Sequence, residues 1–75
     1  MNAEEPKINT ATFAEAMELV EEPYRKLLYD RYVYEMSYDE IAAKYMLHVG
    51  DVKRDMFIAR ELWMNAIETA DNNRK

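Results

Sequence analysis

Cysteine is absent from the chain, and glycine, histidine and tryptophan occur once each in its 75 residues. Without cysteine there can be no disulfide and no thiolate metal site, and nothing marks an oxidising compartment. No apolar run approaches the roughly 20 residues that cross a bilayer, so no membrane partner is expected. The opening stretch MNAEEPKINT has neither the basic segment nor the apolar segment of a signal peptide, which predicts a cytoplasmic protein. One glycine, Gly50, excludes a glycine-rich phosphate loop. His48 would need partners to ligate a metal, and Asp51 is its one near candidate, so neither metal nor cofactor is expected. The adjacent carboxylates Glu21/Glu22 and Asp39/Glu40 do not converge on a substrate, and there is no Ser/His/Asp arrangement. Neither an enzyme nor a small-molecule substrate is expected.

What is present is apolar and acidic. Hydrophobic residues make up 49% of the chain, enough for one small domain with a thin core. The formal net charge of −5 is unevenly placed. Residues 1–22 hold six glutamates against one lysine, whereas residues 23–75 hold nine basic and nine acidic side chains. The acidity therefore belongs to the N-terminal part, and the remainder lacks the basic stripe that phosphate binding favours.

Periodicity predicts an all-α fold, a small domain of about four helices. Residues 1–11, with Pro6, read as a flexible acidic arm, residues 12–70 as the domain, and 71–75 as a frayed tail. Thr12 with Glu15 is a capping-box pattern, followed by Phe13, Ala16, Met17 and Val20 at helical spacing, which predicts a helix over 12–21. Pro23 suits the first turn of a second helix, whose inner face would be Leu27, Leu28, Tyr32 and Met36 with the alkyl part of Arg31. Ser37 and Glu40 form another capping box, opening a short helix through Ile41, Ala42 and Tyr45. After a break at Met46–His48, the stripe Val49, Val52, Met56, Ala59, Trp63 and Ala66 predicts a long last helix to about Ala70. Two helices joined by a tight turn are the layout of a helix-turn-helix.

The segment RKLLYDRYVYEMSYDEIAAKYMLHVGDVKRDMFIARELW resembles region 4 of the sigma-70 type transcription factors and related phage helix-turn-helix regulators. Leu28 to Tyr32 with RY at 31–32, SYDEIA at 37–42, Val49, Gly50, Val52, Lys53 and Arg60 carry the likeness over about half the chain. The resemblance implies that the helix at 37–46 lies across the DNA backbone and that the start of the helix at 49 enters the major groove. It further implies that helices corresponding to 12–36 offer an apolar concave face to the flap of RNA polymerase.

On that basis the expected DNA contacts are Lys53 and Arg54, with Lys44, Arg60 and His48 in support. The departures lie in the same place. His48 replaces a capping Ser or Thr, and Asp51 and Asp55 replace a hydroxyl and an often basic residue. Glu35 and Met46 occupy positions where the family tends to place glycine for a left-handed turn. Gly50 permits close approach of DNA or of the helix at 37–46, and packing is the expected reason.

Six tyrosines fall between residues 24 and 45. Tyr32, Tyr38 and Tyr45 fit core or core-edge positions, while Tyr24, Tyr29 and Tyr34 cannot all face inward. Phe57 and Ile58 point away from the apolar stripe of the last helix. These five, Tyr24, Tyr29, Tyr34, Phe57 and Ile58, form the expected protein-contact surface, and a homodimer seam is one use for it. Two functions follow. One is a transcription regulator that binds promoter double-stranded DNA, RNA polymerase or both. The other is an acidic protein-interaction module on the same fold (an anti-sigma, polymerase-binding or phage-encoded inhibitor) that does not bind DNA.

Overall fold

The computed structural model describes the backbone of residues 10–73 and the side chains of residues 12–70. All regular structure in that span is helical. Helix α1 covers Thr10–Leu19; α2 covers Tyr24–Leu28 and runs on as a π-helical turn, Tyr29–Val33; α3 covers Tyr38–Tyr45 and α4 covers Val49–Asn73. Most of the expected arm and the last two residues of the expected tail lie outside the described residues.

Helix α1 begins two residues earlier than the capping pattern predicts. Thr12 is therefore inside the helix, and it is 1% exposed. Pro23 stands just before α2 rather than within its first turn, and the Glu22–Pro23 peptide is cis. The capping box of α3 is formed as expected: the Glu40 N–H donates to Ser37 Oγ at 3.1 Å, and the Ser37 N–H donates to Glu40 Oε1 at 2.8 Å. Helix α4 passes Ala70 and stays helical through Asn73, so residues 71–73 belong to it.

The second helix departs most from its predicted pattern. At Tyr29 the backbone widens to an i+5 bond, Tyr34 N–H to Tyr29 O at 3.0 Å. The extra residue per turn shifts the phase of every side chain beyond Leu28. On this turn Asp30, three residues after the buried Leu27, faces inward at 2% exposure, while Tyr32, expected in the core, is 42% exposed.

Both suspected left-handed positions are left-handed: Glu35 has φ 56° and Met46 has φ 57°. Met46 ends α3 in a Schellman arrangement, in which its own N–H bonds to Ala43 O and the Leu47 N–H bonds to Ala42 O. Each side chain costs about 1 kcal/mol relative to glycine in that conformation.

The core gathers Met17 and Val20 of α1, Leu27 and Leu28 of α2, Ile41 and Ala42 of α3, and Val52, Met56 and Ala59 of α4. Every helix packs on α4, with α1 making the most extensive contact. Along α4 the inner stripe is deepest at Val52, Met56 and Ala59. It continues to Ile67 and Ala70, while Val49, Trp63 and Ala66 are half-buried. No helix among the described residues is long and apolar enough to cross a membrane.

Candidate functional site

Two surfaces meet on α4. The first lies at its N-terminal half, beside the three residues, 46–48, that join it to α3. Lys53 and Arg54 are exposed there, as expected. Arg54 Nη1 stands 3.5 Å from Asp51 Oδ1, and its Nε stands 3.5 Å from Asp55 Oδ1. One guanidinium thus sits between both aspartates, leaving Lys53 as the cation of this face with no ion pair among the described residues. His48 is exposed, and its carbonyl accepts from the N–H groups of Asp51 and Val52 at 3.0 and 3.1 Å.

Two of the supporting cations, Lys44 and Arg60, are bonded to side chains of other helices. Lys44 Nζ lies 2.8 Å from Oδ1 of the buried Asp30, and the Tyr45 hydroxyl donates to the other oxygen of that carboxylate. The bond to Asp30 raises the Lys44 pKa, and burial together with Asp30 raises that of Tyr45. Lys44, whose side chain stays 46% exposed, thus joins α3 to the π turn. Arg60 Nη1 donates to the Tyr38 hydroxyl at 2.9 Å and to the Tyr32 hydroxyl at 3.5 Å, and these oxygens raise its pKa further. It too is directed across the domain and away from the α3–α4 turn.

Gly50 answers a narrower question. A Cβ built on it would meet no atom within 4 Å, so packing against α3 is not its reason. The first turn of α4 is open to close approach from outside.

The second surface is apolar and was only partly legible. Trp63 stands between two other rings, with the Phe13 centroid at 5.7 Å and the Tyr32 centroid at 5.2 Å, both tilted. Its indole N–H donates to the Phe13 carbonyl at 3.2 Å and ties α4 to α1. On one side of this stack an open groove of about 260 Å³ runs between α1, the π turn and α4, walled by Ala14, Met17, Tyr29 and Val33 with the three rings. On the other side a wider one of about 650 Å³ follows α4 past Met64, Ile67 and Glu68.

Of the five expected protein-contact residues, Phe57 is 60% exposed and Tyr34 67%. Ile58 is half-buried. Tyr24 and Tyr29 are half-buried and pack against the core, and Tyr29 also walls the smaller groove, so Tyr34 is the one of the three tyrosines that is fully exposed. The Tyr29 hydroxyl bonds to Glu18, which raises its pKa, and Arg25 pairs with Glu18 and Glu22 at 3.5 and 3.0 Å, joining α2 to α1.

Periodicity assigned Phe13 and Trp63 to the interior and passed over Val33 and Met64. Both residues that it passed over line these grooves, Val33 on the π turn and Met64 on α4. No protein-family model, curated protein or solved structure matches the chain, so the likeness to sigma region 4 stands on its own residues.

Proposed function

We propose that the chain is a transcription regulator on a sigma region 4-like scaffold that acts chiefly by docking on RNA polymerase. The observation that carries this reading is the aromatic groove between α1, the π turn and α4. It lies on the segment, 12–36, where the resemblance implies a face for the polymerase flap. Its walls are apolar side chains held open by ring stacking and by the Trp63–Phe13 hydrogen bond. A partly preformed apolar cleft is what an apolar tip of a partner needs.

Binding of the full chain to core RNA polymerase tests this. Ala14→Arg and Val33→Glu alter exposed residues of the groove wall, so the helices should still form. Both should weaken binding by at least about thirtyfold, the cost of placing a charge in a desolvated apolar contact. Polymerase binding that ignores both changes, or no binding at all, would overturn the reading.

A second reading, DNA contact by α3 and α4 as a helix-turn-helix, is favoured by the open Gly50 and the unpaired Lys53. With Lys44 and Arg60 bonded elsewhere, Lys53 and Arg54 are the lysine and arginine of the expected set left to meet phosphate among the described residues, beside His48. The logarithm of affinity for duplex should then fall with the logarithm of salt at a slope of only about −2. A much steeper slope would show that other cations take part. Absence of any duplex binding at low salt would end this second reading.

A further inference from the structure

We infer that the outer side of α4 is a seam for a second copy of this chain, packed antiparallel, α4 against α4. At 3.6 residues per turn, Lys53, Phe57, Glu61, Met64 and Glu68 form one line, turned away from the buried line of Val52, Met56 and Ala59. All five are exposed, Phe57 at 60% and Met64 at 63%. The line is basic at its N-terminal end, at Lys53 (the neighbouring Arg54 is shared with Asp51 and Asp55), carries Glu61 at its middle and is acidic at its C-terminal end, at Glu68.

That order is complementary to itself. A two-fold axis crossing the helix near residue 61 sets Phe57 of one copy beside Met64 of the second. It also sets Lys53 and Arg54 beside Glu68, and every contact occurs twice. The wider groove flanks Met64 with Phe13, Trp63 and Ile67, an apolar floor for the incoming Phe57. Sliding the pair by about one turn either way sets Phe57 against Glu61 or Glu68, and parallel pairing sets like charges together, so one register is selected. It carries one unfavourable contact, Glu61 beside its own copy at the axis. The seam covers Lys53, so the dimer withdraws from DNA the cation that α4 leaves unpaired. Contact of α4 with DNA then belongs to the monomer.

Sedimentation equilibrium of the full chain, from about 1 μM to 1 mM at low salt, tests the seam. A reversible monomer–dimer equilibrium is expected. Met64→Glu should abolish it and Phe57→Ala should weaken it at least about tenfold, in line with loss of a central apolar contact. Arg54→Glu should weaken it, and adding Glu68→Arg should restore it. Glu61→Gln should tighten it. The inference is overturned by a chain that stays monomeric at every concentration. It is equally overturned by a dimer indifferent to Phe57→Ala and Met64→Glu, or by a charge exchange that restores nothing. None of these outcomes depends on polymerase binding, which is read through Ala14 and Val33.

Discussion

The two halves of α4 solve opposite problems. In its N-terminal half, charge is plentiful and largely satisfied within the chain: Arg54 lies between Asp51 and Asp55, and Lys53 alone is left unpaired among the described residues. In its C-terminal half, apolar surface is plentiful and, among the described residues, only partly covered, with Trp63 and Met64 at the edge of open grooves. On the N-terminal surface three of the charged side chains, Asp51, Arg54 and Asp55, pair with one another. The unfilled capacity for binding is apolar. The difference teaches that in so small a domain the working surface is located by what the fold leaves unsatisfied, more than by where the motif lies.

The comparison can be broken outright. Met56 is fully buried in the core that α4 shares with the other helices, and Met56→Ala should cost about 3 kcal/mol, lowering the thermal midpoint and weakening every binding activity together. A melt within a few degrees of the parent would show that the halves are not supported by one core. Next in size, Val33→Glu should reduce polymerase affinity while leaving the melt almost unchanged, which separates the apolar half from the charged one.

Met46→Gly comes third. It removes a side chain from a left-handed, 88% exposed position and should stabilise the domain by about 1 kcal/mol in chemical denaturation. A loss of stability would mean that Met46 makes contacts worth more than its strain. In the charged half, Asp51→Asn with Asp55→Asn should free Arg54 and strengthen duplex binding by a few-fold, as expected for exposed ion pairs. An unchanged affinity in a titration at low salt would show that Arg54 does not face the ligand.

The smallest effect is one of slope. Lys44 and Tyr45 have raised pKa values in the folded chain, so the native state holds their protons more tightly than the unfolded state. The stability they contribute is complete below pH ~10 and is lost as pH rises beyond it. Asp30→Asn should flatten that alkaline decline, though incompletely, because burial also raises Tyr45. Denaturant midpoints between pH 9 and 11 give the measurement, and an equally steep decline in the variant would remove Asp30 from the account.

Sequence pattern located four helices because capping chemistry and apolar spacing are local. Ser37 and Glu40 form the box they predict, and Val52, Met56 and Ala59 form the stripe they predict. Pattern failed where the backbone changed its own period. The π turn at Tyr29 could not be read from YDRYV, nor could the burial of Asp30 or the exposure of Tyr32. The engagement of Lys44 was hidden for the same reason, since its partner lies 14 residues away on that turn. Lys53 and Arg54 were legible because exposure at the start of a long helix follows from the apolar stripe opposite. The groove was not, because it depends on how far one helix overlaps another.

Trp63, the one tryptophan of the chain, stands at the meeting point of both grooves with its indole half-buried between Phe13 and Tyr32. The molecule thereby contains its own optical reporter. A segment settling into either groove changes the polarity around that single indole, and the emission maximum moves without any label being attached. No second indole masks the signal, so wavelength against titrant reads occupancy of this surface alone.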